Sequence, residues 1–96
     1  MTLWREVLGT QLRSIRTSQN RTLRDISASA NVALGYLSEI ERGHKEASSE
    51  LLASICVALN IPVSTLMSRA ASTLAREEVP ATVVSLPVGD STQKAA

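Results

Sequence analysis

The chain has 96 residues, 44% apolar and 20% charged, with ten basic and nine acidic side chains for a net charge of +1. That length allows one domain with a modest core, and a single cysteine, Cys56, rules out an internal disulfide framework. Residues 1–68 carry seven basic against six acidic side chains, which argues against a protein that coats a polyanion by bulk charge; with only Trp4 and Tyr36 aromatic, a stacking platform for single strands is also excluded.

A first helix is expected over about Leu3 to Ser18, where Leu8, Leu12 and Ile15 recur at helical spacing with Arg13 and Arg16 between them. Asn20 suits a left-handed stop. Thr22 is expected to cap a second helix, with Asp25 three places on completing a short capping box and Leu23, Ile26 and Ala30 facing inward. Asn31 and Val32 form the turn, Val32 being a buried plug that sets the angle to the next helix. The third helix runs from about Ala33 to Arg42 with Leu37 and Ile40 inward, and Gly43 ends it. Ser48 or Ser49 caps a fourth, whose Leu51, Leu52, Ile55, Ala58 and Leu59 make a wide apolar face. Cys56 reads as a small apolar residue of that helix. Asn60 is a second left-handed stop, and Pro62 opens a fifth helix.

That fifth helix is long. Val63, Leu66, Met67, Ala70, Ala71, Leu74 and Ala75 recur at steps of three and four through about Glu78, roughly 16 residues or about 24 Å. A four-helix core of this size should leave the stripe uncovered from Ala70 onward. Met67, Ala70, Ala71, Leu74 and Ala75 are therefore candidates for a homodimer interface. Val79–Pro80 and Leu86–Pro87 are expected to break any helix, and Val79, Val83, Val84 and Leu86 form an apolar, β-branched patch suited to packing across a partner. The expected division is a bundle over 1–68, a dimerisation extension over 69–78 and a tail over 79–96. No apolar run approaches membrane-spanning length or marks a leader, so a cytoplasmic location away from membranes is expected.

Two short helices joined by a tight turn, the second ending on a glycine, make a helix-turn-helix, and the second is slim enough to enter the DNA major groove. The spacing of Ile26, Ala30, Val32, Leu37 and Ile40, followed by Glu41–Arg42–Gly43, sharpens that reading. With the motif at Leu23–Arg42 and the run Tyr36–Leu37–Ser38–Glu39–Ile40–Glu41–Arg42–Gly43, residues 8–66 resemble the Cro/repressor-type (XRE-like) helix-turn-helix domain. Over nearly its full length the chain is similar to the actinobacterial regulators of Clp protease genes. The resemblance implies an all-α, five-helix bundle that binds double-stranded DNA as a homodimer on an inverted-repeat operator. It further implies a transcription regulator that activates Clp protease and stress genes, with RNA polymerase as a further partner.

The DNA-facing set implied by the resemblance is Leu23, Arg24, Ala33, Leu34, Gly35, Tyr36, Ser38, Glu39, Arg42, His44 and Lys45. Glu39 can accept from a cytosine amino group, Ser38 can pair with a donor or an acceptor, and Leu34 can pack on a thymine methyl. Tyr36 can reach a base or a phosphate. Arg42, His44 and Lys45 suit phosphates, which position without specifying; Arg42 equally suits the negative end of the helix dipole. Arg16 and Glu41 occupy positions that pair in this family, a brace for the reading helix. Leu23 stands where the family usually has Gln, and Ala33 where it usually caps with Ser or Thr. Fewer hydrogen-bonding groups then face the groove, which shifts weight to dimerisation, methyl contacts or DNA shape.

No catalytic grouping is visible. The sole histidine, His44, has no evident orienting acid, and there is no phosphate-cradling glycine loop and no zinc-spaced cluster. Neither an enzyme, a metal nor a cofactor is expected. A rival reading is an antitoxin-type autoregulator whose tail, Val79–Ala96, wraps a partner protein. The Ala95–Ala96 end resembles chain ends read by Clp-type unfoldases, which would make the chain a substrate of such a protease.

Overall fold

A computed structural model describes residues 2–82, with side chains described through Glu78. Five helices follow in order, α1 (Trp4–Ser18), α2 (Leu23–Ala30), α3 (Leu34–Glu41), α4 (Ser49–Ala58) and α5 (Val63–Thr82), with no strand among the described residues. The expected all-α architecture is the observed one.

The connections are short because each helix ends sharply. Asn20, Asn31 and Asn60 adopt φ of 58°, 58° and 59° after α1, α2 and α4, and Gly43 adopts 78° after α3. Asparagine tolerates this left-handed region through its short polar side chain, and glycine enters it without a Cβ penalty. Two of the starts, those of α2 and α4, are capped by side chains. The Thr22 hydroxyl accepts from the Asp25 N–H at 3.0 Å while the Asp25 carboxylate accepts from the Thr22 N–H at 3.2 Å. At α4, Ser48 is the capping residue, its hydroxyl accepting from the Leu51 N–H at 3.1 Å. Each such cap contributes about 1 kcal/mol.

Leu12, Ile26, Leu37, Ile55, Leu59 and Leu66 form the centre of the core, with Cys56 among them. Burial pushes the Cys56 thiol above its ordinary range, so it stays protonated and packs as a small hydrophobe. Val32 is buried as the turn's plug. Its carbonyl accepts from the Ser27 hydroxyl, and its N–H donates to the Ser27 carbonyl at 3.0 Å. These two bonds lock the angle between α2 and α3. At the other side, Gln19 donates to the Leu59 carbonyl at 2.7 Å and Arg21 to that of Ala58, tying the end of α1 to the end of α4.

The fifth helix departs from expectation twice. Ala70 is fully buried within the chain, as is Leu66, and Leu74 and Met67 are half-buried against the same core. The covering surface is α1, which runs alongside α5. Gln11 of α1 donates to the Thr73 hydroxyl at 3.0 Å and accepts from Arg69 at 3.1 Å. Ala70 is therefore a core residue rather than an interface residue, and of the five dimerisation candidates only Ala71 and Ala75 are exposed. The helix also does not stop at Val79–Pro80 but continues to Thr82. Proline already holds a helical φ, and Pro80 falls in the last turn, where the bond it forfeits and the crowding of the carbonyl four residues back affect little helix beyond it. The Val83–Leu86 patch, the rest of the expected tail and the Ala95–Ala96 end lie outside the described residues.

Candidate nucleic-acid interface

α3 is eight residues long, about 12 Å, and α1 supports its C-terminal half. At the crossing, Gly9 lies against the last turn of α3. A Cβ there would fall 2.6 Å from the Glu41 carbonyl oxygen and closer still to that of Ile40. Only a glycine lets the two backbones approach this closely. One turn earlier on α1, Arg5 donates from Nε to the Gly43 carbonyl at 2.9 Å, and its guanidinium sits 3.8 Å from the Glu46 carboxylate. Gly43 in turn packs on the backbone of Glu6, where a side chain of its own would collide.

The Arg16–Glu41 brace completes the grip. Arg16 donates from Nε to Glu41 Oε2 at 2.8 Å and from Nη2 to Oε1 at 3.0 Å, and its Nη1 donates to the Arg21 carbonyl at 3.0 Å. The side chains are only 13% and 8% exposed. This two-pronged geometry satisfies both ions where water is scarce, and the hydrogen bonding to Glu41 holds the Arg16 guanidinium pKa above its ordinary value despite the opposing effect of burial. Leu37 and Ile40 anchor the inner face of α3 in the core.

The outer face carries the residues expected to meet DNA. Gly35, Tyr36, Arg42, His44 and Lys45 are exposed, and Leu34, Ser38 and Glu39 are half-exposed along one side of α3. Ala33, the residue preceding the helix, is exposed and supplies no side-chain cap. Arg24, on α2, is exposed as well. Leu23 differs: it packs partly against the core, so its apolar side chain serves the fold.

Two polar groups on this face are engaged within the chain. The Tyr36 hydroxyl donates to the Glu46 carbonyl at 3.0 Å, which ties the start of α3 to the α3–α4 loop and leaves the oxygen free to accept. Glu39 takes two bonds: Arg42 Nη2 at 2.7 Å on Oε2 and His44 Nδ1 at 2.8 Å on Oε1. The hydrogen bond from Arg42, then that from His44, lowers the Glu39 carboxyl pKa below the usual carboxylate value. Glu39, Arg42 and His44 thus form one cluster, where the sequence suggested three separate contacts. No group of His, Cys, Asp or Glu suited to a metal occurs among the described residues, and no single described helix is long and apolar enough to cross a membrane.

Gly9, Arg5 and Gly43 as a combined seat for α3 were not foreseen. A glycine in α1 and an arginine near the N-terminus carry no local signal, since what they touch is distant in the chain. The only available hint was that Arg5, Gly9 and Arg16 fall near one face of a helix, at steps of four and seven.

Comparison with known proteins agrees with this geometry. A helix-turn-helix family model matches residues 12–66, more than half of the chain. The transcriptional regulator ClgR of Mycobacterium tuberculosis is 59% identical over 76 residues, covering 79% of this chain and 68% of that protein. The crystal structure of the clp gene regulator ClgR from Corynebacterium glutamicum superposes with a TM-score of 0.78 at 46% identity, covering 83% of this chain and 85% of that one. The restriction-modification controller protein C.Esp1396I, crystallised as a tetramer with its natural 35 base-pair operator, shares the fold with a TM-score of 0.65 at 19% identity, covering 74% and 99% of the two chains. The chain belongs to the Cro/repressor-type helix-turn-helix family of DNA-binding transcriptional regulators, in the group that includes ClgR.

Proposed function

We propose that the chain is a cytoplasmic regulator that binds an inverted-repeat operator as a homodimer and activates Clp protease and stress genes. The observation that carries this reading is the outward presentation of α3, with Leu34, Tyr36 and Ser38 on an accessible face while the opposite face is held by α1. The similarity to ClgR, a clp gene regulator in C. glutamicum, supports the choice of target genes. Exposed Ala71 and Ala75 on α5, beside half-buried Met67 and Leu74, offer the apolar strip for a second copy, and small side chains there allow helices to approach closely. Arg24, Lys45 and, once released from Glu39, Arg42 and His44 are the groups for phosphates. RNA polymerase is the further partner that activation requires.

Selection from a pool of random duplexes at fixed salt tests the reading. Two reading helices related by a dyad should recover an inverted repeat whose half-sites lie about 34 Å apart, one helical turn. Recovery of no sequence, or of an unpaired half-site bound by a monomer, contradicts it.

A further inference from the structure

Among the described glycines, two have reasons inside the molecule and one has none. Gly9 lies under the carbonyls of α3, and Gly43 needs both its positive φ and its contact with Glu6. Gly35 sits in the first turn of α3 in ordinary helical conformation, and a Cβ there would meet nothing within 4 Å. Glycine in a helix is less favourable than alanine, so the fold alone would be served at least as well by a side chain. What a missing Cβ offers is closeness, and no other described part of the chain lies opposite Gly35.

Its neighbours on that face explain what closeness would achieve. Ser38 and Glu39 follow at steps of three and four, so they share the surface with Gly35. Helical side chains lean toward the N-terminus, over the preceding turn. Glu39 is instead bonded to Arg42 and His44, and apart from the adjacent residues and the helix's own backbone no described atom comes within 4 Å of where a Gly35 Cβ would lie. Ser38 has a one-carbon reach. It can touch a base edge only if the helix backbone itself lies deep in the groove.

We propose that Gly35 sets the depth at which α3 seats in the major groove: its bare backbone packs against the base edges and brings the Ser38 hydroxyl within hydrogen-bonding reach of a base. Gly35 is thus a specificity-determining position, acting by the absence of a side chain. This rests on the regulator reading above, and it adds the feature that fixes how closely the DNA is read.

The test uses the full chain and the duplex recovered by wild-type selection, with a scrambled duplex as reference. Gly35→Ala and Gly35→Val are compared for thermal midpoint and for affinity. Gly35→Ala should keep or raise the midpoint and weaken selected-duplex binding about tenfold, the loss expected for one base contact. Gly35→Val should weaken it further. Scrambled-duplex binding, set by phosphates, should not change in either variant. In the Gly35→Ala background, removing the Ser38 hydroxyl with Ser38→Ala should cost no further affinity, although it does so in wild type. Equal selected-duplex affinity for wild type and Gly35→Ala overturns this inference alone. If the wild-type chain selects no duplex, the regulator reading falls and this inference falls with it.

Discussion

At its C-terminal end α3 is gripped from the α1 side, by the Gly9 crossing, by Arg5 on the Gly43 carbonyl and by the part-buried Arg16–Glu41 pair. At its N-terminal end it has a start without a side-chain cap at Ala33 and a Gly35 that no other described element approaches. The same eight-residue rod is therefore held from behind along its length, by α1 at one end and by the Val32 turn and the Tyr36–Glu46 bond at the other, while its outer face at Gly35 stays bare. In the proposed reading of DNA, this support keeps the outer face in one orientation, as its few short side chains would need to tell base edges apart. A chain with a net charge of only +1 depends on such placement more than on attraction to phosphates.

The comparison can be broken at the α1 support first. Arg16→Leu leaves the Glu41 carboxylate nearly buried without its partner, and a loss of about 3 kcal/mol in folding stability is expected. The double variant Arg16→Leu, Glu41→Leu should recover most of that loss, since two apolar groups leave no orphaned charge. Chemical denaturation of both variants checks this, and an equally unstable double variant would show that packing rather than charge is at stake. Gly9→Ala comes next. The new methyl meets carbonyl oxygens that cannot rotate away, so α1 and α3 must separate at a cost of about 2 kcal/mol, with selected-duplex affinity falling as the rod tilts. A fully stable Gly9→Ala chain would place the support for α3 elsewhere.

The smallest effect lies on the outer face. Hydrogen bonds from Arg42 and His44 depress the folded Glu39 pKa, so its stabilising contribution is present above the unfolded carboxylate value of about 4.3 and is lost as pH falls through the lower folded value. Glu39→Gln should therefore be slightly less stable than wild type at pH 7, with the gap closing below about pH 4. Urea denaturation at pH 7 and pH 3 measures it. A gap that persists unchanged in acid would mean that the cluster contributes through shape and not through charge.

The caps and turns between helices are more legible in the sequence than the support of α3. Asparagine stops, the Thr22–Asp25 box and the Val32 plug act within a few residues, so their chemistry is visible locally. The Arg16–Glu41 pair was reached through family resemblance, because nothing in the spacing alone joins α1 to α3. Gly9 was invisible for the same reason: a glycine inside a helical pattern looks like a weak position until the opposing backbone is known. The burial of Ala70 is not legible in the sequence, since the extent of a core depends on how α1 lies along α5, which hydrophobic periodicity does not specify. The Tyr36 bond to the Glu46 carbonyl depends on the path of a loop that has no strong local preference.

Amide chemical shifts followed by NMR, as the selected duplex is added to the folded chain, test the central claim most directly. Changes concentrated at Leu34 to Glu39 and in the His44–Glu46 loop, with Gly9 on the supporting side and the exposed Val57 of α4 unmoved, are what a rod held from behind and reading with its outer face requires. Shifts centred on α4 or α5 while Gly35 and Ser38 stay silent would contradict it.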